Sequence, residues 1–284
     1  MSIERVTVIG AGTMGHGIAQ VAAMAGCEVC LNDVSEAAVA AGLGRVGANL
    51  DKGVARGKVD ADQRDATLAR LTTNTDLGRA VAAADLVVEA VPEDLDLKRR
   101  LLAAIAAGAP ATAIVATNTS SLPLSQMSDV LVHAERFVGL HFFNPVHLQP
   151  LVEVIVSEAT SAATRDAALA FIDRLGKESI VVRDVAGFAT SRLGLVIGLE
   201  AIRMVEEGVA SAADIDKAMR LGYRHPMGPL ELTDLVGLDV RLAIAETLAR
   251  ELDPVRFAPP RLLRELVAQG KLGRKSGEGF YRYP

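Results

Sequence analysis

Cysteine is scarce in this chain of 284 residues, with only Cys27 and Cys30. Their C-x-x-C spacing fits a redox pair or half of a metal site. A redox pair, however, wants a helix N-terminus to lower a thiol pKa, and Gly26 to Leu31 reads as a loop entering a strand. No second ligand pair exists to complete a zinc site, so no metal is expected. Also missing are any run of about 18 uncharged apolar residues and a basic start leading into an apolar stretch. The expectation is a cytoplasmic protein that neither enters a membrane nor carries a signal peptide. Positive charge is not in excess either: 30 Lys and Arg stand against 35 Asp and Glu, for a net charge of -5 and a pI near 5.6. Nucleic acids and anionic membranes reward a basic surface, so neither is an expected partner. Internal repeats and low-complexity tracts are absent as well.

What is present is apolar material, 50% of the chain, enough for a large core and, at this length, for two domains. Branched apolar runs at Val6 to Ile9, Glu28 to Leu31, Leu86 to Glu89, Ile114 to Ala116, Phe137 to Leu140, Val152 to Val156 and Ile180 to Val182 read as strands. Helical stretches at Met14 to Ala25, Ala37 to Arg56, Asp60 to Leu71 and Leu97 to Ala107 alternate with them, the pattern of a parallel sheet. After Asp184 the periodicity is helical only, over Gly187 to Glu207, Ala212 to Leu221, Pro229 to Arg250 and Pro259 to Gln269. The expected fold is therefore α/β, a Rossmann-type doubly wound sheet over residues 1–185 followed by an all-helical domain over 186–284.

Directly after the first strand, Gly10, Gly12 and Gly15 stand in G-x-G-x-x-G spacing at the mouth of a helix, with Thr13 and Met14 inside the same turn. The first glycine makes the turn, the second lets the backbone approach a pyrophosphate, and the third permits close helix packing. The second strand ends at Asn32-Asp33, which puts a carboxylate where it can accept from a ribose 2′-hydroxyl and repel a 2′-phosphate. NAD is expected over NADP, although Asn32 could soften that exclusion.

His141 closes the strand from Phe137 and opens H-F-F-N-P; twelve residues on, Glu153 sits inside an apolar strand. A carboxylate there needs a partner, because an unpaired buried charge is costly. If the two strands meet, Glu153 fixes the imidazole tautomer and stabilises the imidazolium, making His141 a general base. Asn118-Thr119-Ser120-Ser121 follows another strand and offers small polar side chains at the carboxyl edge of the sheet, where open α/β folds bind ligands.

These segments resemble the 3-hydroxyacyl-CoA dehydrogenases of the short 3-hydroxybutyryl-CoA type. The likeness rests on V-I-G-A-G-T-M-G-H-G-I-A-Q at the start, D-L-V-V-E-A-V-P-E at 85–93, N-T-S-S-L at 118–122 and G-L-H-F-F-N-P at 139–145. It continues through L-V-E-V-I at 151–155, P-M-G-P-L-E-L at 226–232 and G-R-K-S-G-E-G-F-Y at 273–281, and so spans essentially the whole chain. The resemblance implies that His141 is the general base, Glu153 its partner and Ser120 the hydroxyl on the reacting oxygen. It places Glu93 and Lys98 near the nicotinamide and its ribose, and Asn118 and Asn144 where cofactor and substrate meet. Ser191 stands where many relatives carry an asparagine that helps hold the substrate carbonyl.

The implied reaction is hydride transfer between NAD and the 3-hydroxyl of a short-chain (S)-3-hydroxyacyl-CoA. Its CoA phosphates would be met by Lys52 and Arg56, four apart on one helix face, with Lys58 beyond them. A homodimer through the helical domain is also implied. Three alternatives stay open: 3-hydroxyadipyl-CoA as substrate, a free hydroxy acid or sugar acid as substrate, and a non-catalytic NAD-binding structural protein.

Overall fold

The computed structural model describes residues 2–283, which divide into two compact units at Asp184–Val185. In the first, eight strands form one sheet in the order β3-β2-β1-β4-β5-β6-β7-β8. They are β1 (Arg5–Ile9), β2 (Glu28–Asn32), β3 (Leu71–Asn74), β4 (Leu86–Glu89), β5 (Ile114–Thr117), β6 (Phe137–Phe142), β7 (Leu151–Val156) and β8 (Glu178–Arg183). Six helices accompany them: α1 (Gly15–Met24), α2 (Glu36–Ala55), α3 (Ala61–Ala69), α4 (Leu77–Val81), α5 (Leu95–Gly108) and α6 (Ala162–Arg174). The inner strands are buried throughout, as in β4 and β6, because helices cover the sheet and leave no solvated face for polar alternation. Ile18, Leu31, Val88 and Phe142 belong to the core so formed. Side chains placed by sequence set the helix starts: Ser35 accepts from the Ala38 N–H, Asp60 from Gln63, Asp94 from Leu97 and Ser161 from Thr164, each satisfying an otherwise orphaned donor.

Several elements depart from the expectation. The helix read over Asp60 to Leu71 stops at Ala69, and Leu71 instead begins β3, whose L-T-T-N sequence is too polar to announce a strand. Helices α4 and α6 were not foreseen. The sheet is also not wholly parallel: β7 runs antiparallel to β6, a direction that an apolar run does not encode.

The second unit holds α7 (Thr190–Glu206), α8 (Ala212–Gly222), α9 (Pro229–Val236), α10 (Leu238–Glu251) and α11 (Arg261–Ala268), followed by a short 3-10 turn at Arg274–Ser276 and isolated bridges at Gly273, Glu278 and Arg282. The single helix expected over Pro229 to Arg250 is two. Gly237 breaks it at φ 104°, a backbone state that L side chains rarely adopt. Leu195, Leu199, Leu238 and Leu248 are among the residues of the core of this unit. On the same helix Leu193, Val196 and Ile197 stay partly open.

Candidate active site

The glycine loop fits a dinucleotide on three separate counts. Gly10 adopts φ +97°, and a Cβ there would lie 2.7 Å from the Ala90 carbonyl oxygen. Gly15 is tighter still, since its Cβ would fall 1.7 Å from the Gly10 oxygen. Around Gly12 the reverse holds, with nothing within 4 Å of a Cβ, so the backbone stands open to a phosphate at the start of α1. Thr13 is exposed at this lip, and Met14 is half-buried as the residue before α1. Asp33 braces the loop, its Oδ2 accepting from the Ala11 N–H at 2.7 Å while Oδ1 accepts from Val34. Asn32 is buried and donates to the Asn74 carbonyl, so its amide is committed to the sheet and not to a ribose. A residue not anticipated, Arg45, donates to the Ala11 carbonyl at 2.6 Å from α2.

At the same carboxyl edge of the parallel strands, the antiparallel register sets His141 directly opposite Glu153. The imidazole Nδ1–H donates to Glu153 Oε2 at 2.6 Å, with both side chains buried. A carboxylate can only accept, so the proton belongs on Nδ1 and the lone pair on Nε2. The arrangement can take a proton at Nε2 and stabilise the imidazolium that results. Next to it Asn118 Oδ1 accepts from the Phe142 N–H, tying the segment after β5 to β6. Asn144 is exposed in the β6–β7 connection.

Glu93 gathers the loop after Asn118. Its Oε1 accepts from Thr119 Oγ1 at 2.6 Å, from the backbone N–H groups of Ser120 and Ser121, and from Ser121 Oγ. Burial alone would raise this carboxyl. The Lys98 charge and those hydrogen bonds together outweigh burial and hold it below the ordinary range.

Lys98 is sealed in the interior. Its ammonium lies 2.8 and 3.0 Å from the Glu89 oxygens and 3.4 Å from Glu93 Oε2. Thr117 donates to the other side of Glu89 at 2.6 Å. Glu89 was missed in the sequence reading, although a glutamate ending the apolar run L-V-V-E nine residues before a lysine carries the same signal that marked Glu153.

Lys52, on α2, and Arg56, at its C-cap, are exposed, and neither side chain has a hydrogen-bond or ion-pair partner among the described residues. Ser191 lies in the first turn of α7, half-buried, in the second unit. Cys27 and Cys30 are both free thiols, and burial pushes each above the ordinary thiol range.

A base poised to accept a hydroxyl proton beside a seat for a dinucleotide is the equipment of a nicotinamide-dependent alcohol dehydrogenase, and that is the class this fold and site define. Residues 5–185 match the NAD-binding domain of 3-hydroxyacyl-CoA dehydrogenase and residues 187–283 its C-terminal domain; the chain belongs to the 3-hydroxyacyl-CoA dehydrogenase family. It is 42% identical to a 3-hydroxybutyryl-CoA dehydrogenase of Mycobacterium tuberculosis, covering 99% of both chains. The mitochondrial hydroxyacyl-coenzyme A dehydrogenase of Rattus norvegicus is 44% identical, with 99% of this chain and 91% of that one covered. Among solved structures, (S)-3-hydroxybutyryl-CoA dehydrogenase from Ralstonia eutropha superposes with a TM-score of 0.96 at 41% identity, each chain covered completely. The cofactor is NAD, as the matched domain and the glycine loop agree. No helix among the described residues is long and apolar enough to cross a membrane.

Proposed function

We propose that the protein interconverts a short-chain (S)-3-hydroxyacyl-CoA and its 3-ketoacyl-CoA, with 3-hydroxybutyryl-CoA as the preferred unsubstituted substrate. The observation that carries this reading is the 2.6 Å contact between His141 Nδ1 and Glu153 Oε2 at the carboxyl edge of the sheet. His141 Nε2 takes the proton of the 3-hydroxyl, and Glu153 compensates the positive charge that the ring acquires. Bound NAD supplies the hydride acceptor. Ser120, whose loop Glu93 fixes, donates to the reacting oxygen, and in the ketone-reducing direction His141 returns the proton. Gly10, Gly12, Thr13, Met14, Gly15 and Asp33 hold the dinucleotide, with Glu93, Lys98, Asn118 and Asn144 shaping the nicotinamide end. Ser191 assists at the substrate carbonyl, and the unpaired Lys52 and Arg56 meet the CoA phosphates.

The reading includes a homodimer through the helical unit, supported by its exposed Leu193, Leu221, Tyr223 and Val240. It also includes a cytoplasmic location, supported by two free cysteines three residues apart. The test is a comparison of kcat/KM across neutral (S)-3-hydroxyacyl-CoA chain lengths and free 3-hydroxybutyrate, each with NAD and NADP. We expect the four-carbon thioester with NAD to lead, and turnover of the free acid to equal or exceed it only if the proposal is wrong.

A further inference from the structure

One buried charge at the sheet edge takes no part in the proton transfer. Glu89, the last residue of β4, is fully buried. Its Oε1 accepts from the Val91 N–H at 2.8 Å and from Lys98 Nζ at 2.8 Å, while Oε2 accepts from Lys98 Nζ at 3.0 Å and from the Thr117 hydroxyl at 2.6 Å. Thr117 Oγ1 in turn accepts from the Thr119 N–H, so its own proton belongs to Glu89. Every contact of the carboxyl group is with a donor, which marks it as ionised. Glu93 is ionised too: burial raises its carboxyl, but the Lys98 charge and the hydrogen bonds from Thr119, Ser120 and Ser121 hold it below the ordinary range. Two carboxylates thus share one ammonium, and among the described residues no second cation reaches either of them. The cluster carries a net negative charge.

The order of the strands says what lies above it. Asp33 follows β2 and the glycine turn follows β1, so the adenosine end and the pyrophosphate of a dinucleotide occupy the edge over β2 and β1. Along the sheet the order continues β1-β4-β5-β6, and the other half of the molecule therefore extends over β4 and β5, toward His141 on β6. Glu89 ends β4 and Thr117 ends β5. The glycine turn packs directly on the segment after Glu89, since a Cβ on Gly10 would meet Ala90 and Val91. Glu93 is the open member of the cluster, its side chain 35% exposed.

We propose that the net negative charge of Glu89, Lys98 and Glu93 makes the site discriminate between the oxidation states of the nicotinamide, favouring the cationic oxidised ring over the neutral reduced one. The inference rests on the proposed placing of the nicotinamide end beside Glu93 and Lys98, and not on which alcohol is oxidised. Oxidised and reduced cofactors share their ribose and phosphate groups and differ by a positive charge on the ring. A charge fixed in a buried position is poorly screened and acts on that difference. Lys98 is what keeps Glu89 ionised there, because a lone carboxylate in the core would take up a proton.

The test measures dissociation constants of NAD+, NADH and ADP-ribose by calorimetric titration for the wild type, Glu89→Gln, Glu93→Gln and Thr117→Val. Glu89→Gln removes the charge with little change of shape, whereas Thr117→Val breaks a bond to the same carboxylate and leaves the charge. We expect the ratio of the NAD+ constant to the NADH constant to rise about threefold to thirtyfold in Glu89→Gln, to rise also in Glu93→Gln, and to stay within about twofold of wild type in Thr117→Val. ADP-ribose, which has the pyrophosphate but no ring, should bind all four proteins alike. Glu93→Gln alters the more exposed carboxylate and decides the matter should Glu89→Gln not fold. An equal shift of the ratio in Thr117→Val, or parallel losses for all three ligands, overturns the proposal by making the cluster a structural support. Equal losses for NAD+ and NADH with ADP-ribose unaffected would leave the ring in place and overturn the discrimination alone. No change for any ligand in either glutamine variant would defeat the placing of the nicotinamide as well.

Discussion

Replacing Glu153 with Gln changes one atom in a buried site and removes one charge. The contact at risk is the 2.6 Å bond from His141 Nδ1, and its value rises when the imidazole becomes imidazolium in the transition state. A hydrogen bond to a charged group contributes about 1.5–3 kcal/mol, or about 10- to 150-fold in rate. A second loss adds to it. If the glutamine turns its amide nitrogen toward His141, the ring must move its proton to Nε2, where the reaction needs a lone pair; a wrong tautomer of this kind costs up to about 10⁴-fold. We therefore expect kcat to fall between about 10² and 10⁴ in Glu153→Gln. NAD affinity should hold, because the glycine loop and Asp33 follow β1 and β2, with β4, β5 and β6 lying between β1 and β7. Stopped-flow absorbance of NADH gives the rate and calorimetric titration gives the affinity. A kcat within about threefold of wild type, in a variant of unchanged NAD affinity, would remove Glu153 from the mechanism.

Two further substitutions separate the jobs of the glycines. Gly12→Ala adds a methyl where nothing lies within 4 Å, so its denaturation midpoint should match wild type while its NAD affinity drops at least about tenfold in titration. Gly15→Ala puts a methyl 1.7 Å from the Gly10 oxygen, and it should lose stability by at least the roughly 1–3 kcal/mol typical of overpacking; equal stability of the two variants would contradict the close approach. The depressed carboxyl of Glu93 makes a statement about pH. A folded pKa below the unfolded value of 4.5 contributes stability that is complete above that value and is lost as pH falls through the folded one. Urea unfolding of wild type and Glu93→Gln should therefore differ most at neutral pH and draw together as pH falls below 4.5, and a constant gap across this range would contradict the assignment.

The parts legible in the sequence are those where one residue type has one physical use. Three glycines with three different steric surroundings, an acid closing the second strand, and a carboxylate inside an apolar run all pointed to where the structure puts them. The parts that stayed hidden depend on direction and on partners distant in the chain. Apolar β7 announces a strand but not that it runs against β6, and only that reversal sets residue 141 against residue 153. The polar β3 is held by backbone pairing to β2, a contribution that side-chain pattern does not report. Gly237 looked tolerable inside a helix until its left-handed backbone split α9 from α10.

Buried charge is the signal that links these observations. Glu153 and Glu89 were both written into apolar strands, and both are answered by a cationic or proton-donating partner, His141 in one case and Lys98 with Thr117 in the other. In each, the charge that burial penalises is restored by a group from a neighbouring element, and the pair becomes a fixed part of the sheet edge where the chemistry takes place. Arg241, on the inward stripe of α10, breaks the pattern: it is placed as firmly as Glu89, yet its buried Nε has no hydrogen-bond partner among the described residues.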